Sequence, residues 1–185
     1  MISALADCTE SDLVALARSS HDAAFAEIVR RHREALYRIA MASLGQTEDA
    51  LDAVQESFIA AYLALARFDV SRPLRPWLAR IVLNQCRDRL RRRAVRRFLL
   101  PFVGTDVDVA DAAPGPAHLA ADRDALARTM RAIAALPAGL REPLVLTAIE
   151  GMAQADVATT LGLSAKAVEL RVRRARARLR DALHF

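Results

Sequence analysis

Residues 151–183 read GMAQADVATTLGLSAKAVELRVRRARARLRDAL. A segment patterned by Val157, Ala158 and Leu161 runs into Gly162, and Ser164 opens a second segment. Glycine suits the left-handed residue that ends a helix, and serine suits the N-cap of the next one. Along the second segment Val168, Val172, Ala175 and Leu179 are spaced four, three and four apart, which is one buried helix face. Arg171, Arg173, Arg174, Arg176, Arg178 and Arg180 fall largely on the other faces. Two helices, a tight glycine turn and a cationic second helix predict a helix-turn-helix able to lay its second helix in a DNA major groove. The same pattern also describes an amphipathic helix with a solvated charged face, so the rest of the chain has to decide.

At 185 residues the chain holds one domain or two small ones, and neither half of a two-domain split has room for a large core. No apolar run approaches the roughly 18 residues of a membrane span, and the acidic amino end lacks the apolar stretch of a signal peptide. These features predict a cytoplasmic protein without membrane insertion. Cys8 and Cys86 stand alone, without the paired spacing of a zinc site or a disulfide framework, and read as two reduced thiols. The net charge of +5 is unevenly spread. Residues 87–97 hold seven arginines against Asp88, residues 104–124 hold five aspartates against one arginine, and residues 165–185 are basic again. Two basic blocks around an acidic linker point to a polyanion touched at two places.

The amino-terminal half reads as a series of helices. Residues 9–18 form a short one capped by Thr9 or Ser11, and His21 to Leu44 a longer one ended by Gly45. Thr47 is the expected N-cap of a third, with Glu48 and Asp49 in its first turn, where carboxylates suit the helix dipole. Leu51, Val54, Phe58, Tyr62 and Leu65 step by three and four into an expected core, while Asp52, Gln55, Glu56 and Ile59 lie off that stripe. A loop at 68–73 precedes a helix that restarts near Pro76, with Trp77, Ile81 and Val82 inward and Asn84 facing away from Trp77. Proline, glycine and aspartate dominate 98–121, which reads as a flexible acidic linker. Beyond it Leu126, Met130 and Ile133 stripe a helix that Pro137 ends. Strand character and internal repeats are missing. The predicted fold is all-α: a helical bundle at 9–97, the linker at 98–121 and a helix-turn-helix domain at 122–185.

With those segments in order, the chain resembles the ECF (extracytoplasmic function) subfamily of bacterial RNA polymerase sigma factors. FAEIVRRHREALYRIA resembles the first helix of the family's conserved region two, and DALDAVQESFIAAYLALARFD its polymerase-binding helix. RPLRPWLARIVLNQCRDRLRRR resembles its promoter-reading and melting helix, and LPAGLREPLVLTAIEGMAQADVATTLGLSAKAVELRVRRARARLR resembles region four. The resemblance implies a non-enzymatic subunit, without cofactor or metal, that joins core RNA polymerase, recognises −10 and −35 elements and aids DNA melting. The implied partners are the polymerase β′ clamp helices and β flap, promoter DNA and an anti-sigma factor.

Site residues follow from the matched motifs. Asp52, Gln55, Glu56 and Ile59 are the implied polymerase contacts; an ordinary solvated face explains the three polar ones equally well, and exposed Ile59 favours docking. Arg80, Asn84, Arg87, Arg91 and Arg92 are implied at the −10 element, where a loop beside a polar helix face can trap an extruded base and cations follow the strand. Ser164, Lys166, Glu169, Leu170, Arg171, Arg173 and Arg174 are implied at the −35 element. There Glu169 can accept from cytosine N4 and Leu170 can touch a thymine methyl, a departure from the polar residues common at these positions. Ala153 replaces a usual serine cap, and Pro143 falls inside a helix; both are expected to loosen the first helices of region four. Two further readings stay open at this level: a stand-alone helix-turn-helix regulator that binds duplex DNA without polymerase, and an interaction protein binding acidic partners without sequence preference. An enzyme has little support, since His21, His32, His118 and His184 sit apart and no nucleophile or carboxylate pair accompanies them.

Overall fold

The computed structural model describes residues 5–99 and 117–183. Its amino-terminal bundle consists of α1 (Glu10–Arg18), α2 (Asp22–Leu44), α3 (Thr47–Ala64) and α4 (Leu74–Leu99). The carboxy-terminal bundle consists of α5 (Ala117–Ala135), α6 (Ala138–Leu144), α7 (Gln154–Leu161) and α8 (Ala165–Leu183). No strand occurs among the described residues, in keeping with the all-α expectation.

Single residues set most boundaries. Thr9 caps α1 in a reciprocal box: its hydroxyl accepts from the Asp12 N–H at 3.2 Å, and its own N–H donates to Asp12 Oδ2 at 3.2 Å. Gly45 ends α2 at φ 73 and Gly162 ends α7 at φ 66, left-handed conformations that glycine adopts without penalty. The N-cap of α3 is Gln46 rather than Thr47, which becomes the first helical residue, with Glu48 and Asp49 in the first turn. Pro143 lies inside α6 and is buried there. The helix accommodates it and continues into a π-helical turn at Val145–Ile149.

Leu13, Val14, Ile28, Leu36, Ile39 and Leu78 fill the amino-terminal core, while Leu146, Val157, Val168, Val172 and Ala175 fill the carboxy-terminal one. The expected stripe of α3 is only partly inward. Val54, Phe58 and Leu65 are buried, but Leu51 and Tyr62 are 47% and 46% exposed, because neither α2 nor α4 closes over that edge. On α4 the inner face is Leu74, Leu78, Val82, Leu83 and Cys86; Trp77 and Ile81 are half-buried, and the Trp77 ring rests on Phe68 with centroids 4.8 Å apart. Trp77 and Asn84 are seven residues apart on one helix, hence on the same side rather than opposite sides. Leu126 is exposed, leaving Met130 and Ile133 to pack α5.

The boundaries of the expected linker also shift. Helix α4 runs on through Phe98 and Leu99, and α5 begins at Ala117, ahead of the expected start near Asp122. The acidic stretch at 104–116 lies outside the described residues. The two bundles touch: α2 packs on α5, and α4 on α7. A Cβ placed on Gly45 would sit 3.4 Å from that of Ala134, so the end of α2 approaches α5 closely.

Candidate nucleic-acid interface

Three surfaces collect the residues singled out from the sequence. The first lies between α2 and α3. Leu51, Gln55, Ile59 and Tyr62 line an open apolar groove with Phe25 and Val29, and Leu63, 76% exposed, extends it. Gln55 and Ile59 therefore belong to the groove. Asp52 and Glu56 form the opposite edge of the same strip, facing α4, where Arg89 NH2 donates to Glu56 Oε1 at 2.7 Å and Arg89 NH1 lies 3.5 Å from Asp52 Oδ2. Asp49 adds a third carboxylate 3.6 Å from Arg89. Leu51 and Tyr62 have the three-and-four spacing of a core stripe, Leu63 falls outside that stripe, and only a missing neighbouring helix reveals a groove.

The second surface is α4. Arg80, Asn84, Arg87 and Arg91 stand at i, i+4, i+7 and i+11, one exposed stripe opposite the buried face, with Arg92 exposed to its side. Their states differ. Asn84 Oδ1 accepts from Arg87 NH1 at 3.0 Å, and Arg91 pairs with Asp88. Arg87 also reaches across to the other bundle, where its Nε donates to Glu142 Oε1 at 2.6 Å and its NH2 to Glu142 Oε2. That pairing raises the Arg87 pKa above the ordinary guanidinium value. The loop before α4 is shaped by Asp69, which accepts from the Ser71 N–H at 3.0 Å and the Ser71 hydroxyl at 2.7 Å; these bonds hold its carboxyl below the usual range. Arg18 anchors the loop from behind by donating to the carbonyls of Leu65 and Phe68. Cys86 is buried beneath the stripe, and burial pushes its thiol up to about 12, so it stays protonated at neutral pH.

The third surface is α8. Ser164 Oγ accepts from the Ala167 N–H at 3.2 Å, so the hydroxyl serves as the helix cap. Lys166 and Glu169 are exposed and pair with each other at 3.0 Å. Glu169 and Arg173 share a face with Arg176 and Arg180, bordered by Gln154 and Thr147. Arg171 and Arg174 turn to the other flank: Arg171 NH1 lies near Gly139, and Arg174 borders a depression with Pro137 and Leu140. Leu170 is half-buried between the two. The seven candidates thus occupy two flanks of one helix. Arg176 and Arg180 join the Glu169 flank and were missed, although steps of four, three and four from Glu169 through Arg173 already place them there.

No group of three or more His, Cys, Asp and Glu able to hold a metal ion occurs among the described residues, and none of their helices is long and apolar enough to cross a membrane. The chemistry on offer is binding: an apolar groove with an acidic edge, and two cationic helix faces on separate bundles.

Comparison with known proteins agrees with this layout. The Sigma-70 region 2 family matches residues 28–112, and the Sigma-70, region 4 family matches residues 126–179. The chain is 47% identical over 173 residues to the RNA polymerase sigma factor CnrH of Cupriavidus metallidurans, covering 90% of each. It is 32% identical over 181 residues to the ECF RNA polymerase sigma factor SigM of Mycobacterium tuberculosis, covering 96% of this chain and 86% of that one. Among solved structures, CnrH in complex with the cytosolic domain of CnrY is similar at a TM-score of 0.71 and 39% identity, covering 95% of this chain and 97% of that one. The sigma factor RpoE of Bartonella quintana, in complex with the anti-sigma factor NepR, is similar at a TM-score of 0.70 and 25% identity, covering 86% and 96%.

Proposed function

The chain belongs to the ECF sigma factors of bacterial RNA polymerase, which direct promoter-specific transcription initiation, and from that premise we propose how its surfaces divide the work. The amino-terminal bundle, residues 9–97, acts as region two, and the carboxy-terminal bundle, residues 122–185 together with the start of α5, acts as region four. The strip formed by Asp52, Gln55, Glu56 and Ile59 docks on the β′ clamp helices of core polymerase. The apolar groove receives side chains of the partner coil, and the acidic edge fixes its register. Arg80, Asn84, Arg87, Arg91 and Arg92 follow the non-template strand at the −10 element, with Asn84 as the base contact and the arginines on phosphate. Lys166, Glu169, Leu170 and Arg173 face the −35 major groove, with the amides behind Ser164 holding a phosphate. Arg171 and Arg174, on the other flank, are available to the β flap.

The observation that carries this reading is the separation of two cationic helix faces onto two bundles, with a third, apolar and acidic, face on the first. A single-site DNA regulator needs only one of the three. The protein acts by binding, in the cytoplasm, without a catalytic centre of its own. Two similar structures hold sigma factors with CnrY and with the anti-sigma factor NepR, which supports an anti-sigma partner that covers the polymerase and DNA surfaces here too.

Run-off transcription with purified core polymerase on genomic DNA, followed by start-site mapping, tests the function and supplies the promoter sequence. In a pull-down, Asp52→Ala with Glu56→Ala is expected to weaken core polymerase binding about tenfold or more. Ile59→Glu, placing a charge in the groove, is expected to weaken it further. Undiminished capture by both variants would remove the docking assignment.

A further inference from the structure

The acidic edge of the docking strip is held from α4. Asp49, Asp52 and Glu56 stand at i, i+3 and i+7 of α3, one face of that helix, and Arg89 of α4 lies among all three. One terminal nitrogen of Arg89 donates to Glu56 Oε1 at 2.7 Å; the other lies 3.5 Å from Asp52 Oδ2 and 3.6 Å from Asp49 Oδ1. Arg93, one turn further along α4, pairs with Asp49 as well. Exposure rises outward through the cluster, from 16% for the Arg89 side chain to 43% for Glu56 and 64% for Asp52. The inner carboxylate thus joins α3 to α4, while each outer one is gripped by a single oxygen. Glu56 Oε2 and Asp52 Oδ1 have no partner among the described residues. Glu150 shows the contrasting case: its side chain is fully buried, and Arg38 and Arg75 between them bond both of its oxygens. A carboxylate so enclosed has nothing left for a partner, whereas Asp52 and Glu56 each keep an outward oxygen.

We propose that Arg89, although carried by the helix that reads the −10 element, is a positioning residue for polymerase docking. It holds Asp52 and Glu56 so that one oxygen of each faces a cation of the partner coil. This rests on the assignment of Asp52 and Glu56 to docking. Arg89 is not placed to follow the DNA strand itself, since it lies two residues from both Arg87 and Arg91, about 200° around the helix from either. The planar guanidinium suits the task, because its fixed fork of donors can serve several carboxylates at once and set their directions. A glutamate free in solvent gives up its rotamer freedom when a partner binds, whereas Glu56 has given it up on folding.

Charge alone predicts the opposite effect of removing Arg89. Without it the edge is more negative, so a cationic partner would bind more tightly. If position governs, the variant binds more weakly, because three carboxylates facing one another repel and the outer two swing away from the strip. The two accounts differ in sign, which makes the residue decisive.

The test is an equilibrium titration of core polymerase with the labelled full chain: wild type, Arg89→Ala and Arg89→Lys, each also combined with Asp52→Ala plus Glu56→Ala. Arg89→Ala is expected to weaken binding about tenfold, and Arg89→Lys, which keeps the charge but not the fork, about threefold. In the background lacking both outer carboxylates neither substitution should weaken binding further, since nothing remains to be held. A purely structural Arg89 would instead cost the same factor in both backgrounds, and that result overturns the proposal. So does a folded Arg89→Ala that binds as well as wild type or more tightly. Circular dichroism verifies folding; should Arg89→Ala unfold, the same cycle with Arg89→Lys decides alone, and unweakened binding by that variant counts against the proposal. If Asp52→Ala plus Glu56→Ala leaves binding intact, the docking assignment falls and the role of Arg89 with it. If that pair weakens binding while Arg89 adds independently, only the positioning role falls.

Discussion

Arginines crowd both α4 and α8, but their surroundings differ. On α4, Arg87 is bonded to Glu142, Arg89 faces Asp49, Asp52 and Glu56, and Arg91 pairs with Asp88, while Arg80 and Arg92 stand exposed. On α8 no arginine comes within ion-pair distance of a carboxylate among the described residues; the helix's one such pair is Lys166 with Glu169. The two basic blocks are alike in composition and unlike in what they do for the folded chain. A paired arginine fixes structure and must exchange a carboxylate for a phosphate when it binds DNA. A solvated one adds little to folding and gives its full counterion release to the complex.

Substitutions that treat the two helices alike should therefore have unlike consequences. The largest is expected at Arg89, whose side chain is only 16% exposed and which separates three carboxylates. Arg89→Ala should cost about 2–3 kcal/mol in urea unfolding, because the carboxylates are left facing one another, partly desolvated. Arg176→Ala on α8 should change stability by less than about 0.5 kcal/mol. Equal costs would erase the distinction between the helices. Next in size is Glu169, an acceptor among donors on the recognition face. Glu169→Gln should alter preference at one −35 base by about tenfold, read by transcription from promoters varied at each position. Unaltered preference would assign Glu169 to holding Lys166 instead. Smaller again, Arg176→Ala should weaken holoenzyme binding a few-fold at every sequence and lower the salt slope by about 1.

How much of this the sequence discloses depends on how many residues set each feature. Gly45, Gly162, Thr9 and Ser164 act alone through backbone conformation or a local hydrogen bond, so the helix ends they mark are legible within a few residues. The core of α8 is legible too, because its apolar face is narrow and the rest of the helix is charged. The stripe of α3 is not, since Leu51 and Tyr62 have the spacing of core residues and only the lack of a covering helix turns them outward. Trp77 misleads for the related reason that a large aromatic side chain suggests burial, whereas here it rests half-exposed on Phe68. Glu142 and Glu150 carry no local signal at all. Their partners lie 55, 75 and 112 residues away in the chain, and nothing short of the tertiary structure joins them.

Acid should also separate the bundles, with the smallest effect per residue. Among the described residues, each carboxylate held below its ordinary pKa belongs to the amino-terminal bundle: Glu10, Asp12, Glu27 and Asp69. Glu27 is lowered furthest, from 4.5 to about 2, by hydrogen bonds from Arg30 at 2.7 Å and then Arg31 at 2.8 Å. Glu10 is lowered chiefly by its bond with His32, at 2.9 Å, with burial opposing. In each case the unfolded chain binds protons at a pH where the folded chain does not. For Glu27 the contribution is therefore present above about 4.5 and is lost as pH falls toward 2. Arg31 also donates to the carbonyls of Leu5, Ala6 and Cys8, so protonating Glu27 loosens the guanidinium that ties the amino-terminal segment to α2. Amide hydrogen exchange between pH 5 and 3, corrected for intrinsic rates, should show protection falling first around α1 and the start of α2, while α8 keeps its own. Glu27→Gln should flatten that acid limb without touching α8. Parallel loss of protection in both bundles would mean that the amino-terminal network does not set the order of unfolding.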